Sequence, residues 1–413
     1  MPELTVTVRV PLPKQPTLAC LEQAVFKALQ PAGRELLLEA FGLLEQQTLD
    51  GAKQRRRRRY LITRFGEIRF FRWQTRTEAG YGYPLDEALG IGSGDPCSPW
   101  VRQTASWLAQ AHPFRQAARL LSKMIGTRVD HRTLWGWVQG SGRALRRHME
   151  QLRASLFDDG EDPAFQGRAP KIVSTSADGT FIRTRDGPVE VKLGIWWTGA
   201  HLQSPTASHP RYLLQGKGSY ASTQAHDLFG QTFYALAARR AGIAKAQEVF
   251  FISDGAGWLA DLPADWIAPT AFQLDQFHGK LRISEVAKDP ERAARWWAWV
   301  TEHNLGALGR SIDVLTRSGR VEPEAARELM SYLAKGSGAF QTYLRLQEQG
   351  HSPQMAPRGS GAMEHNVDLV VARRFKRQGM RGWTRQGADN LLALRTLAMD
   401  EHAWRDWWGE AAD

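Results

Sequence analysis

Three acidic residues, widely separated in the chain, stand where chemistry on a phosphodiester would need them. Asp178 follows the run Lys171-Ile-Val-Ser-Thr-Ser-Ala177, and Asp254 follows Val249-Phe-Phe-Ile-Ser253. Glu364 opens a predicted helix, Gly361-Ala-Met-Glu-His-Asn-Val-Asp368, that turns strongly basic at Arg373-Arg-Phe-Lys-Arg377. Two aspartates at strand ends and one glutamate on a helix, beside a cationic surface, are the inventory of a two-metal phosphoryl-transfer site acting on DNA. Breaking and joining phosphodiesters needs an activated water or 3′-hydroxyl and a stabilised leaving oxyanion. Two Mg²⁺ ions about 3.5–4 Å apart serve both needs. Mg²⁺ is hard and keeps its waters, so one to three carboxylates suffice and substrate phosphate fills the rest. Asp-Gly is first a turn signal, and five such pairs occur, at 50, 159, 178, 186 and 254. The strand-like run before Asp178 and Asp254 sets those two apart; Asp186-Gly187 reads as a hairpin turn.

On a helical projection, Met363, Val367, Val370 and Val371 gather on one face. Glu364 and Asp368 border that face, which makes Asp368 a rival for the third ligand. Arg373, Arg374, Lys376 and Arg377 are candidate contacts to DNA phosphate, with Arg373, Lys376 and Arg377 on the far side of the helix. Asp275 and His278 make an Asp-x-x-His spacing just after the strand-like Ala271–Leu274. They could orient the carboxylates from behind or form a satisfied buried pair. In Trp296-Trp297-x-Trp299, core packing outweighs stacking on an unpaired base.

The elements that must position these residues are legible in outline. From Lys171 the texture is that of strands: Lys171–Ala177, then Thr180–Arg185 and Val189–Trp197 as a hairpin, with Arg211–Leu214 as a third strand. A helix over Thr223–Ala241 and strands over Glu248–Ser253 and Ala271–Leu274 complete a mixed sheet with helices on its faces. A helical stretch from Trp296 to Leu346 separates this sheet from Glu364. Upstream, residues 16–48 carry helical periodicity and read as two packed helices. An unbroken run, Arg55 to Arg59, precedes a β-hairpin over 60–73 and is either a solvated face or a phosphate contact, with Arg55, Arg56 and Arg57 as candidates. Residues 98–149 are helical again. Gly126 suits the corner of a helix-turn-helix and Asp130 the N-cap of its second helix. Leu134, Trp137 and Val138 should face inward; His131, Arg132 and Trp135 should face outward, where a recognition helix meets a major groove.

Composition narrows the classes. The balance of 54 Lys+Arg against 43 Asp+Glu gives a net charge of +11, which points to a polyanionic partner. Two cysteines, Cys20 and Cys97, build neither a disulfide framework nor a four-cysteine zinc site. No apolar run reaches the ~18 residues of a membrane helix, and the expected location is the cytoplasm. A P-loop, a nucleophile elbow and a His-Glu-x-x-His zinc motif are all missing from the sequence.

The chain resembles bacterial insertion-sequence transposases of the DDE type, nearest the ISLre group, with kinship to the ISKra group and more distantly to Mutator-like enzymes. The similarity is carried by Arg58-Tyr-Leu-Ile-Thr-Arg-Phe-Gly-Glu-Ile-Arg-Phe70, Leu85-Asp-Glu-Ala-Leu-Gly-Ile91, Ser176-Ala-Asp-Gly-Thr180 and Val191-Lys-Leu-Gly194. It continues through Ser253-Asp-Gly-Ala-x-Trp258, Leu274-Asp-Gln-Phe-His278, Gly361–Asp368 and the long stretch from Gly379 to Arg395. The resemblance implies an RNase H-like catalytic domain over 165–288 and 355–400, interrupted by a helical insertion over 289–354. Ahead of it lie an N-terminal region over 1–95 and a helix-turn-helix domain over 96–157. Asp178, Asp254 and Glu364 would hold two Mg²⁺ or Mn²⁺ ions, with Asp275 and His278 as the Asp-x-x-His of related enzymes. The implied activity is cleavage at terminal inverted repeats and strand transfer to target DNA by a homodimer or larger assembly. The alternatives are a domesticated, non-catalytic DNA-binding protein and a plain RNase H-like nuclease.

Overall fold

The β-branched and aromatic runs in the middle of the chain build the sheet on which the acids sit. The computed structural model describes all residues except 1–2, 13, 50–52, 78–79, 93, 204–211, 256–269, 337, 379, 381 and 410–413. Two compact units emerge, Met1–Ser141 with Arg405–Asp413, and Gly142–Trp404. The second has a five-stranded mixed sheet, from β4 (Ile172–Thr184), β5 (Gly187–Trp197), β8 (Gly218–Ser222), β9 (Glu248–Ser253) and β10 (Thr270–Leu274), in the order β10-β9-β4-β5-β8. β4, β9 and β10 run parallel, while β5 and β8 are antiparallel to their neighbours. The four-residue apolar run of β9 follows from burial on both faces: Val249, Phe250, Phe251 and Ile252 are all enclosed.

Two expectations are corrected here. β4 does not end at Asp178 but continues to Thr184, because Asp178 and Gly179 stay paired with Leu193 and Lys192 of β5. What ends, two residues earlier at Ser176, is the pairing with β9. Of the expected strand Arg211–Leu214, the described residues do not join this sheet: β7 (Tyr212–Gln215) pairs with β6 (Gly199–Leu202) in a separate two-stranded ribbon. The third antiparallel strand is instead β8, a buried Gly-Ser-Tyr-Ala-Ser.

Alternation sorts the faces. Helix α6 (His226–Ala241) lies on the Gly194 side, where Phe233 approaches so closely that a Cβ at Gly194 would sit 2.6 Å from its ring. Ser174, Ser176 and Asp178 point to the other side. There Ser174 donates to the Met355 carbonyl and the Trp197 indole N–H to the Gln354 carbonyl. After β10 come α7 (Gln276–Ala287), α8 (Pro290–Thr301), α9 (Leu305–Arg317), α10 (Pro323–Lys335) and α11 (Thr342–Glu348). Asp275, Asp289 and Asn304 cap α7, α8 and α9 with their side chains. These helices share a core around Trp296, Leu308, Leu333 and Phe340 that also takes in Ile283 and Ala287 of α7. The helical block therefore begins at α7, ahead of residue 289. Trp296 is core, its N–H on Ser311 Oγ at 3.0 Å, and Trp297 and Trp299 pack against the same cluster.

In the first unit, α1 is one helix, Leu18–Thr48, not two. Pro31 removes one backbone bond, and the helix continues through it, with Ala32 and Gly33 buried. β1 (Lys53–Thr63), β2 (Gly66–Thr77) and β3 (Gly80–Gly82) form an antiparallel sheet. The arginine run is part of β1. Arg55 to Arg58 are exposed, whereas Arg59 is buried and donates to the carbonyls of Gly92 and Asp95 at 2.8 and 2.7 Å. A short helix, α2 (Pro84–Ala88), follows, then α3 (Pro99–Ala111), α4 (Phe114–Ile125) and α5 (His131–Phe157), whose residues from Gly142 onward belong to the second unit. Gly126 turns the corner at φ 66°, and Asp130 accepts the Arg132 N–H at 2.8 Å. Leu134, Trp137 and Val138 are buried, while Arg132 and Trp135 are exposed and His131 half-buried. Among the described residues no helix is long and apolar enough to cross a membrane.

Candidate active site

Parallel pairing aligns the aspartates. Ser176 pairs with Ile252 and Leu274 with Ser253, so continuing both registers sets Asp178, Asp254 and Asp275 in one row across the ends of β9 and β10. Neighbours in such a row are spaced by roughly the 4.8 Å between strands. Asp178 lies within electrostatic reach of Asp254, His278 and Glu364. Burial raises its carboxyl above the ordinary carboxylate range, and the charge of Asp254 raises it further. The Gly179 N–H and His278 pull the other way, and Glu364 adds a further raising contribution. Oδ1 of Asp178 accepts the Gly179 N–H at 2.7 Å. The Asp254 carbonyl accepts from the Tyr332 hydroxyl at 3.2 Å, and Gly255 takes φ 80°, a left-handed conformation that favours glycine. That hydroxyl is itself raised to about 12 by burial.

Asp275 is the buried joint of the site. Its Oδ1 caps α7, accepting the N–H groups of Phe277 and His278 at 2.6 and 3.4 Å. Its Oδ2 accepts the Ser360 N–H at 2.7 Å and the Ser360 hydroxyl. Burial alone would raise this carboxyl, but the Ser360 and Phe277 donors outweigh it and hold it below the ordinary range. Ser360 immediately precedes α12 (Gly361–Asn366), which carries Glu364. The clasp therefore fixes where that helix starts. His278 Nδ1 stands 3.5 Å from Asp275 Oδ2, and the Phe277 ring meets the imidazole edge-on.

Residues 15–411 match the model of a family described as "Uncharacterised protein family (UPF0236)". The chain belongs to this family. A relative from Streptococcus gallolyticus, "UPF0236 protein in vanSb 3'region", is 26% identical over 359 residues, covering 80% of this chain and 70% of the relative. The span matched to the UPF0236 model takes in all of the acids described above, the whole of the second unit and most of the first.

The Glu364 helix of this UPF0236 protein is not uniformly α. After α12 the backbone opens into a π-helical turn, Val367–Ala372, before α13 (Arg373–Phe375). Met363, Val370 and Val371 are buried and Glu364 is exposed, as the projection requires. Asp368 is exposed and pairs with Arg373 at 2.8 Å. Lys376 donates to Thr180 Oγ1, two residues from Asp178, and Arg377 is exposed. Arg374 departs from expectation. It is buried, its guanidinium 5.0 Å from the Trp383 ring, and burial first, then Arg395 and Arg377, lowers it to about 10. Removed from the surface, it is not placed to meet a phosphate. The sequence reading missed Ser360, Tyr332 and Lys217, whose ammonium reaches Asn366 Oδ1 on α12 at 3.0 Å. Only Ser360, directly ahead of a predicted helix, carried a local signal.

Among the described residues no three His, Cys, Asp or Glu side chains are gathered into a group that could hold a metal ion by themselves. Mg²⁺ needs no such group, since one or two carboxylates with waters and substrate phosphate complete its shell. The mutual repulsion felt at Asp178 is the charge surplus that such a cation offsets.

Proposed function

We propose that this UPF0236 protein is a DDE-type DNA transposase with an RNase H-like catalytic domain. The reading rests on one observation: Asp178 and Asp254 each stand two residues beyond the last β4–β9 pair, Ser176 with Ile252, and Asp254 and Glu364 both act electrostatically on Asp178. The strand order, an antiparallel β4-β5-β8 meander extended by parallel β9 and β10, supports the RNase H-like assignment. Asp178, Asp254 and Glu364 would hold Mg²⁺ or Mn²⁺, with Asp368 displaced from that role by its ion pair to Arg373. When bound, such ions supply an activated nucleophile and a stabilised leaving oxygen. The protein's part is positioning. Asp275 and Ser360 fix the start of the Glu364 helix, and Lys376 and Arg377 offer cations beside the acids. α4 and α5 form the helix-turn-helix that reads terminal inverted repeats through Arg132, with Arg55, Arg56 and Arg57 on backbone phosphate. Two transposon ends must be held together, so the working form is a homodimer or larger.

A strand-transfer assay with pre-cut ends and Mn²⁺ tests this. Joined products from the wild type, lost in each of Asp178→Ala, Asp254→Ala and Glu364→Ala, are the expected outcome. Cleavage without joining would favour a plain nuclease, and DNA binding with no chemistry in the wild type would favour a domesticated DNA-binding protein.

A further inference from the structure

The π-helical turn behind Glu364 is held by a buried guanidinium. In an α-helix the Arg373 N–H would bond the Leu369 carbonyl, four residues back. Here it bonds the Asp368 carbonyl, five residues back. The Leu369 carbonyl is thereby released, and a buried backbone acceptor must find another donor. Arg395, on α14 (Arg385–Ala398), supplies it: one terminal nitrogen donates to the Leu369 carbonyl, and Nε donates to the Val370 carbonyl at 2.7 Å. Arg395 is buried, as are Val370 and Val371. A planar fork that reaches two successive carbonyls fits a widened turn in a way that a single ammonium does not.

The turn has a geometric consequence. One extra residue in a helix swings everything beyond it by about 100° unless a π turn absorbs it. Upstream of the turn stands Glu364; downstream stand Lys376 at Thr180 and Arg374 against Trp383. Both ends are anchored, so a reversion to α pitch would pull one of them from its place. We infer that Arg395 is a positioning residue: it fixes the π turn and thereby holds Glu364 and the basic run on the Asp178 edge together. This rests on the transposase reading for its link to the metal site, while the claim about helix pitch stands alone.

Arg395→Lys keeps the charge but not the fork. The test follows Mn²⁺ binding by electron paramagnetic resonance without DNA, hydrogen exchange over 367–376, and thermal unfolding of the full chain. The expected result is a folded protein with faster exchange in that segment and roughly tenfold weaker Mn²⁺ binding. Deleting Leu369 in the Arg395→Lys background removes the extra residue, so exchange protection and Mn²⁺ affinity should both return. A folded Arg395→Lys with unchanged exchange and unchanged Mn²⁺ affinity overturns the inference. If Arg395→Lys fails to fold, the double variant decides: recovery of folding and Mn²⁺ binding supports it, and a folded double variant without Mn²⁺ binding refutes it. A wild type whose Mn²⁺ binding is indifferent to Asp178→Ala would instead refute the functional reading, leaving the exchange result to judge the helix.

Discussion

Replacing Asp178 by Asn should make the metal-free protein more stable while abolishing the proposed strand transfer. Asn keeps the oxygen that accepts the Gly179 N–H and removes a charge that burial and Asp254 both disfavour. Two unit charges about 5 Å apart at an effective dielectric near 20 repel by roughly 3 kcal/mol. Partial exposure of the row reduces this to about 1 kcal/mol, or about 2–4 °C in melting temperature for a domain of this size. The sign with pH follows from the direction of the shift. A raised carboxyl stabilises the fold where it is protonated and costs stability as pH climbs past the ordinary carboxylate range. The advantage of Asp178→Asn should thus be full at neutral pH and vanish under acid. Divalent cation reverses the ranking, because a ligand at a hundred times its Kd adds about 2.7 kcal/mol to a protein that binds it. Scanning calorimetry with and without Mn²⁺, at pH 7 and at pH 4, reads all of this. A lower melting temperature for metal-free Asp178→Asn, or equal stabilisation of both proteins by Mn²⁺, would refute the reasoning.

Asp275 should behave with the opposite sign. Its carboxyl lies below the ordinary range, so its stabilisation is present above the unfolded value and is lost as pH falls through the lower folded one. Asp275→Ala strips a helix cap and strands the buried Ser360 donors, a loss of about 3 kcal/mol in denaturant unfolding. On DNA, alanine at Arg373, Lys376 and Arg377 together should flatten the log–log salt slope by about 2.7, measured by fluorescence anisotropy. Arg374→Ala should leave the slope alone and lower the melting temperature, since that guanidinium is buried on Trp383. Gly33→Ala places a Cβ 2.3 Å from the Phe65 ring and should destabilise by about 1–3 kcal/mol.

What could be read from the residues tracks the kind of signal each element carries. β9 was legible because a strand enclosed on both faces becomes an uninterrupted apolar run, and β10 from its apolar Ala271, Phe272 and Leu274 despite the buried Gln273. β8 was not, because Gly-Ser-Tyr-Ala-Ser owes its place to pairing with β5 and not to its own hydrophobicity. Asp178-Gly179 looks like a turn until the partner strand is known, and cross-strand bonds then carry β4 through it. The Arg55–Arg59 run offers no hint that Arg59 alone turns inward, since that depends on carbonyls more than thirty positions away. Glu364 and its apolar face follow from helical periodicity, but the π turn does not. Its donor, Arg395, is one more cation in a basic chain until α14 is docked.

The bond between Asp275 and Ser360 spans 85 positions of sequence. It pinches shut the chain that leaves the sheet after β10 and returns to it at α12. Both ends of this excursion are tethered to one carboxylate, and Tyr332 within it reaches back to the Asp254 carbonyl. On the transposase reading, a change of length between the two tethers would leave Glu364 where it stands so long as the Tyr332 contact is kept.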